Sequence, residues 1–242
     1  MNSKIQSAIY FLLSAMVGAS AQSMKLKSKQ SVQVDIPEPS DIYFAPDSRT
    51  FFWVSDQGTL FETDSQGKII RQKAVPNSDL EALFVRDSSV FVMDETHRLI
   101  HEFGRNHLDL IRSVNVPYAG GRNKGFEAMC YNSDLKKYLL ITERDPVVLF
   151  ELDEQFHILN QINLSRLARD ISSVLYHNGF LWLLSDEDRT LFKLDPKDYR
   201  ILQSWILPIV NPEGFCFDEN QQLRVISDDM QRMYYFNQLD QK

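Results

Sequence analysis

A block of about forty residues recurs five times along this chain, and the recurrence limits the possible folds more than any other feature of the sequence. Each copy opens with a polar, usually acidic, residue that is followed by apolar residues. A period of this length is typical of proteins that repeat one small unit of secondary structure. The openings are Asp41-Ile42-Tyr43-Phe44, Glu81-Ala82-Leu83-Phe84, Glu127-Ala128-Met129-Cys130, Ser172-Ser173-Val174-Leu175 and Glu213-Gly214-Phe215-Cys216.

Each copy contains several short apolar runs that are separated by turn residues. The second run ends in an acid, as in Trp53-Val54-Ser55-Asp56, and a turn such as Asp56-Gln57-Gly58 follows. Runs of about 4–8 residues that are rich in aromatic and β-branched types indicate strands rather than helices. Four antiparallel strands in each unit of about forty residues predict an all-β fold, the β-propeller.

The fifth copy contains only three of the four runs. A matching outer run is found near the other end of the sequence, in residues 30–36, just before Pro37. Pairing of this run with the fifth copy would complete the last blade and protect its edge. We therefore predict a five-bladed β-propeller with four antiparallel strands per blade, formed by residues 22–242 as one domain and closed by the N-terminal strand.

The first 21 residues have the pattern of a secretory signal peptide. Lys4 provides a positive start, residues 9–18 are apolar, and Ala19-Ser20-Ala21 has the small side chains of a cleavage site. Cleavage would leave Gln22 at the start of an exported chain in the periplasm or cell envelope. The alternative is a retained membrane anchor, although the stretch is shorter than the ~20 apolar residues of a membrane span. No later segment of the sequence is apolar enough to cross a membrane.

The chain carries a formal net charge of −7. An acidic chain lacks the basic surface of nucleic-acid-binding proteins, so nucleic acid is excluded as a partner and cations are favoured. The two cysteines, Cys130 and Cys216, fall at equivalent positions in blades that are not neighbours. They are therefore expected to be buried, unpaired thiols rather than a disulfide.

A propeller places the start of every first strand and the end of every second strand on one face of the ring. Acids occupy most of the first-strand starts, with Ser172 in the fourth copy, and acids also end the second strands. These acids should form two rings on one face, which we call the acidic face. The inner ring is predicted to contain Asp41, Glu81, Glu127 and Glu213, and the second ring Asp56, Asp94, Glu143, Asp186 and Asp228.

Facing carboxylates repel one another, by roughly 4 kcal/mol for two charges ~4 Å apart at an effective dielectric constant of ~20. Such groups need hydration, protons, cationic partners or a metal. Oxygen ligands without histidine or cysteine favour Ca²⁺ over zinc, so the inner ring is a candidate calcium site. The inner-ring acids could instead be solvated without a metal, and those of the second ring could brace the turns that follow them, so these interpretations stay open.

Catalytic motifs are absent from the sequence. No histidine falls at the positions that form the two rings, and the chain has no nucleophile elbow, Walker loop or dinucleotide-binding fingerprint. One connection between blades, residues 117–125, is long and carries Arg122 and Lys124, which could clamp an anionic group on the acidic face. Ordinary charge balance over the acids is the alternative role of these cations.

Several stretches resemble the SdiA-regulated protein family, namely EPSDIYFAPDS at 38–48, WVSDQG at 53–58 and DLEAL at 79–83. The resemblance runs through all five copies, roughly over residues 30–240. It implies an exported bacterial five-bladed propeller, distantly similar to NHL-repeat propellers, with a calcium site and no established biochemical activity. By motif, it implies Glu81, Glu127 and Glu213 as ligands and Asp41 as a further candidate, while Ser172 departs from the pattern.

Two functions are consistent with these observations. The first is an exported, calcium-binding propeller that binds an unknown small molecule or protein at its acidic face. The second is a calcium-dependent hydrolase of an ester, lactone or phosphoester, in which a ring carboxylate would act as base and Arg122 or Lys124 as anion clamp. The lack of a recognisable nucleophile or histidine base favours the first.

Overall fold

All regular secondary structure is β in the part of the chain that the computed structural model describes, residues 23–121 and 125–239. No helix that is long and apolar enough to cross a bilayer occurs within these residues. The predicted signal peptide, residues 1–21, lies outside them. Two short strands come first, β1 (Met24–Lys25) and β2 (Gln30–Gln33).

The apolar runs of the five repeats form the five blades, each of four antiparallel strands once β2 is added to the fifth, and β1 adds an extra strand to the fourth. The first contains β3 (Pro39–Ala45), β4 (Thr50–Ser55), β5 (Thr59–Thr63) and β6 (Ile69–Ala74). The second contains β7 (Leu80–Arg86), β8 (Ser89–Asp94), β9 (Leu99–Gly104) and β10 (Leu110–Asn115). The third contains β11 (Phe126–Asn132), β12 (Lys137–Thr142), β13 (Val148–Leu152) and β14 (Ile158–Asn163). The fourth contains β15 (Ser173–His177), β16 (Phe180–Ser185), β17 (Thr190–Leu194) and β18 (Ile201–Ile206), and the fifth contains β19 (Pro212–Phe217), β20 (Gln222–Ser227) and β21 (Arg232–Gln238).

The five sheets close into a ring around their innermost strands. β3 contacts β7, β7 contacts β11, β11 contacts β15, β15 contacts β19, and β19 returns to β3. The predicted five-bladed propeller is therefore confirmed. Strands of the second position, such as β4 and β16, are buried on both faces, which explains their nearly continuous apolar sequence.

The apolar core is divided into five clusters, one between each pair of neighbouring blades, in the described part of the chain. Each sheet therefore packs on the next through both of its faces. The three tryptophans lie in these clusters, fully buried: Trp53 packs between the fifth and first blades, and Trp182 and Trp205 between the fourth and fifth. This arrangement holds the inner strands in a fixed register around the central channel.

The N-terminal segment ties two blades together. β2 pairs antiparallel with β21 and completes the fifth blade, as the sequence predicts. β1 pairs parallel with β18 as an extra fifth strand on the fourth blade, which the sequence does not predict. The hydroxyls of Ser23 and Ser204 are hydrogen bonded at 2.7 Å, and the N–H of Leu26 donates to the carbonyl of Ile206 at 2.9 Å.

Candidate functional site

A β-bulge at the start of the inner strands fixes where the acids lie. In the second blade, Leu80 pairs with Asp94 and Ala82 pairs with Met93, so Glu81 between them has no partner on β8. A bulge turns one side chain out of the regular alternation of a strand, and here it lies at the mouth of the channel. By this register the inner ring consists of Ser40, Glu81, Glu127, Ser172 and Glu213.

Asp41 lies one residue below the inner ring rather than in it, which corrects the register expected from the sequence. The bulge residue of the first blade is Ser40, and Asp41 pairs with Val54 on β4. When the repeat openings are aligned by their acids, Asp41 is matched with Glu81, although the residue equivalent to Glu81 at the bulge is Ser40. The residues at the level of Asp41 are all small: Ala82, Ala128, Ser173 and Gly214.

The carboxylate of Asp41 spans the centre of the ring. It accepts hydrogen bonds from the backbone N–H of Leu83 at 3.0 Å and from the hydroxyl of Ser173 at 2.9 Å, on the second and fourth blades. Gly214 leaves space for it, because an added Cβ there would lie 2.7 Å from the Asp41 Cα. Burial raises the pKa of this carboxyl to about 7, although the two hydrogen bonds act in the opposite direction.

The second ring also differs from its prediction by one residue, in the second blade. Asp94 pairs with Leu80 and occupies the position of Ser55, Thr142 and Ser227 in other blades. Glu95 follows it and takes the ring position that the sequence assigned to Asp94. By register, the second ring is Asp56, Glu95, Glu143, Asp186 and Asp228.

Asp94 instead braces its own turn. Its carboxylate accepts a hydrogen bond from the backbone N–H of His97 at 3.1 Å and lies 2.9 Å from the Nδ1 of the same residue. Burial acts to raise the pKa of Asp94, but hydrogen bonds from His101, Ser78 and His97 lower it to about 2. Asp94 thus has the turn-bracing role that the sequence offered as the alternative to metal binding.

In the first and fifth blades, the serine before the second-ring acid binds the backbone of the connection from the preceding blade, so the acid itself is not needed for that contact. The hydroxyl of Ser55 donates to the carbonyl of Pro37 at 2.6 Å, and that of Ser227 donates to the carbonyl of Val210 at 2.7 Å. Asp56 Oδ1 is buried and has no hydrogen-bond partner among the described residues. Bracing of the turn therefore does not account for the acid at this position.

Three carboxylates of the second blade converge on the acidic face. Asp79, Glu81 and Glu95 each place one oxygen within 4.8 Å of the others. The backbone N–H of Gly125 donates to Glu95 Oε1 at 2.8 Å and holds that side chain in place. Sequence reasoning found Glu81 and missed its two neighbours.

Asp79 belongs to a third set of positions, two residues before the inner ring. In the five blades these positions are Glu38, Asp79, Gly125, Asp170 and Asn211. The second blade has an acid at all three sets of positions, whereas each of the other blades has a neutral residue at one of them. The strand register thus explains why the convergence occurs at blade two.

Acids of different blades act on one another across the face. Burial first, and then the charges of Glu127 and Asp79, raise the pKa of Glu81 well above its ordinary value. Burial and the charge of Glu95 do the same for Glu127. Two full charges 4.8 Å apart would repel by about 3 kcal/mol at an effective dielectric constant of ~20. The ring therefore favours bound protons or bound cations.

The cations at the rim are paired with acids outside the cluster. Arg144 lies 3.2 Å from Glu143 and 3.0 Å from Glu187, and Arg169 lies 2.6 Å from Asp188. These pairs fit charge balance at the edge of the face. The predicted anion clamp, Arg122 and Lys124, lies outside the described residues. Cys130 and Cys216 are buried free thiols, as expected.

A closed ring of five four-stranded blades with carboxylates at one mouth makes this protein a five-bladed β-propeller with an acidic face. A sequence profile of the SdiA-regulated family matches residues 17–237. The chain belongs to this family.

Two solved structures have a similar fold. The glutaminyl cyclase of Myxococcus xanthus has a TM-score of 0.72 and 13% sequence identity, over 90% of this chain and 100% of that one. A protein of unknown function from Bacteroides caccae has a TM-score of 0.58 and 13% identity, over 78% of this chain and 70% of that one. At these identities the likeness concerns the fold alone.

One curated relative is the F-box/WD repeat-containing protein 15 of Mus musculus. It is 30% identical over 118 residues, which is 47% of this chain. The match spans 23% of the mouse protein, so this chain corresponds to less than a quarter of that relative's length.

Proposed function

We propose that this protein is an exported propeller that binds calcium at its acidic face and uses that face as a binding surface. The observation that carries the proposal is the convergence of Asp79, Glu81 and Glu95 within 4.8 Å, with Glu127 beside them. Export is supported by the signal-peptide pattern of residues 1–21.

The donor set favours calcium over other common metals. All the groups that converge are carboxylates, which suit hard cations, whereas structural zinc sites use cysteine and histidine. Calcium accepts about 6–8 oxygens in loose geometry, while magnesium requires a nearly regular octahedron. Carboxylates on a bulge, a loop and a turn form an irregular set, which fits calcium better. Waters would complete the coordination shell.

A calcium ion would leave most of the surrounding acids uncompensated. For example, burial and then the charges of Asp186 and Asp228 raise the pKa of Glu213 well above its ordinary value, and these two acids lie on the far side of the ring from the cluster. The face therefore keeps a negative potential when one ion is bound, and it would attract partners that present cationic groups. We infer a small molecule or protein of that character as the partner.

Thermal unfolding of the chain from Gln22 tests the metal site. We expect a higher melting temperature in millimolar calcium than in EDTA, and little change in magnesium. A ligand that binds only the folded state at about 100 times its Kd adds about 2.7 kcal/mol, which is a shift of several degrees. Equal melting curves in calcium and EDTA would contradict the proposal.

A double variant, Glu81→Gln with Glu95→Gln, should affect the two conditions in opposite directions. Without metal it should melt higher than the wild type, because two repelling carboxylates are removed. With calcium it should lose most of the shift, because two ligands are removed. The control is Glu219→Gln, which changes one exposed acid on the opposite face. A calcium shift that survives in the double variant would place the ion elsewhere.

Catalysis at the same site is the second candidate. Burial and the neighbouring acids raise the pKa of Glu127, beside the candidate metal, well above its ordinary value, and a carboxyl group with a raised pKa suits general acid–base chemistry. A screen should include an ester, a lactone, a phosphoester and a peptide with an N-terminal glutamine, since a glutaminyl cyclase has a similar fold. Turnover that requires calcium and is lost in Glu127→Gln would support an enzyme. Calcium binding without turnover of any of these would favour the binding module.

A further inference from the structure

The wall of the central channel changes from polar to apolar below Asp41. The residues two positions after the level of Asp41 on each inner strand form the next level away from the acidic face. Their side chains are all aromatic, aliphatic or thiol groups. By register this level consists of Tyr43, Phe84, Cys130, Leu175 and Cys216. The channel therefore has two unlike ends, which are separated by the hydrogen-bonded carboxylate of Asp41.

Two neighbouring cavities open at the end opposite to the acidic face. Their volumes are about 330 and 270 Å³, and both are lined by Tyr43, Leu175 and Tyr176. The first is also lined by Phe84 and Tyr131, and the second by His177 and Phe217. Together they are lined by residues from the inner strands of all five blades. We call this pair the aromatic cavity.

The charged groups around the aromatic cavity are neutralised or lie at its rim. The guanidinium of Arg86 stacks 4.0 Å from the centre of the Tyr131 ring and is paired with Glu154 at 3.0 Å. Asp218 pairs with the buried Arg224. Two further acids, Asp87 and Glu219, are exposed at the mouths and would repel an anion.

The walls themselves are uncharged. Burial lowers the pKa of His177, whose Nε2 lies 2.7 Å from Gln221 Oε1 and whose ring stacks on Phe217 at 4.6 Å. Burial raises the pKa values of Cys130 and Cys216 above their ordinary range, so both remain neutral thiols. Neutral aromatic and sulfur-containing walls favour an uncharged, planar occupant.

One polar group in the cavity has unused capacity. The hydroxyl of Tyr176 is buried and no acceptor among the described residues lies within 3.5 Å of it, although burial and then the nearby Asp134 carboxylate raise its pKa to about 12. A buried hydroxyl without a partner is costly, so an acceptor that reached it would be held specifically. Tyr176 lines both cavities.

We propose that the aromatic cavity binds a small, uncharged aromatic molecule that carries a hydrogen-bond acceptor, and that Tyr176 donates to the acceptor. The volumes lie near the lower end of the about 300–1,000 Å³ of ligand pockets, which fits one or two rings. The shape and the neutral walls of the cavity favour an aromatic ring in the ligand, and the Tyr176 hydroxyl favours a ligand with a hydrogen-bond acceptor. This site is independent of the proposed calcium site, because it lies at the other end of the channel.

The test uses acetophenone and its isostere α-methylstyrene, which has a methylene group in place of the carbonyl oxygen. Each is titrated into the metal-free chain from Gln22 and into Tyr176→Phe, with binding followed by NMR of labelled leucine methyls. Acetophenone is expected to bind saturably, to shift the Leu175 methyl signals, and to bind about fivefold more weakly to Tyr176→Phe. The affinity of α-methylstyrene should not fall in that variant. Because the affinity of each probe is compared between the wild type and Tyr176→Phe, the difference in hydrophobicity between the two probes does not affect the result.

Three results would overturn the proposal. They are the absence of saturable acetophenone binding, binding that leaves the Leu175 methyls unmoved, and an equal change for both probes in Tyr176→Phe. The double variant of Glu81 and Glu95 serves as a second control, since it should bind acetophenone as the wild type does. A failed calcium shift together with saturable acetophenone binding would refute only the metal site.

Discussion

A chain that begins at Pro37 is expected to lose its cooperative fold at 37 °C. It lacks β2, so the ladder of the fifth blade ends at β21 and leaves an open edge. It also lacks Val34 and Ile36, which are fully buried between the fifth and first blades. Burial of each such side chain contributes about 1.5–3 kcal/mol, against about 5–15 kcal/mol for a whole domain. Circular dichroism and calorimetry would measure the loss.

The matched control is a chain that begins at Gln30, which keeps β2 but lacks β1 and its half-buried neighbour Leu26. It should melt within a few degrees of the longer chain, because β1 adds a two-residue bridge whose side chains are exposed. A synthetic peptide of residues 28–37 should restore folding to the chain from Pro37. The same peptide with serine in place of Val32, Val34 and Ile36 should not. An unchanged transition in the chain from Pro37 would show that the N-terminal strand does not close the ring.

The two N-terminal strands illustrate what the sequence could and could not predict about the fold. β2 is predictable because Val32, Val34 and Ile36 alternate with polar residues and precede a proline, as the outer strands of the first, second and fourth blades do. β1 has no such signal, since Met24 and Lys25 are both exposed and are held only by backbone pairing with β18. Backbone pairing without side-chain burial leaves no pattern in the sequence.

The sequence predicted where the acidic site lies better than it predicted which residues form it. The repeat put the acids on one face because equivalent residues of equivalent blades share a location. A bulge shifts the inner strand by one residue relative to its partner in the first, second, third and fifth blades, and a pattern of apolar runs does not reveal it. Asp41 and Asp94 are acids that stand one residue away from the ring positions of their blades, so matching the repeats by their acids misplaces both of them. Asp79 lies before the first strand, where the repeat pattern gives no guide.

Asp41 should make the protein less stable as the pH rises from about 4 to about 7. Burial raises the pKa of its carboxyl to about 7 in the folded chain, whereas an unfolded aspartate titrates near its ordinary value of 3.8. Between these values the folded state holds a proton that the unfolded state has released, so each increase in pH favours unfolding. Below this window both states are protonated and the contribution is at its maximum. Above it the difference reaches about 4 kcal/mol as an upper bound.

Asp41→Asn should remove this dependence while keeping the shape of the side chain. The amide oxygen can accept from the N–H of Leu83, and the amide NH₂ can donate to the hydroxyl of Ser173, so both contacts of the carboxylate are replaced. Urea unfolding at several pH values should show similar stability of variant and wild type near pH 4, and a more stable variant near pH 8. Other acids with raised pKa values affect both proteins and cancel in the difference. Parallel pH curves would contradict the assigned burial of the charge.

Because Asp41 lies below the cluster of Asp79, Glu81 and Glu95, the variant should keep the calcium shift, and loss of that shift would return Asp41 to the metal site.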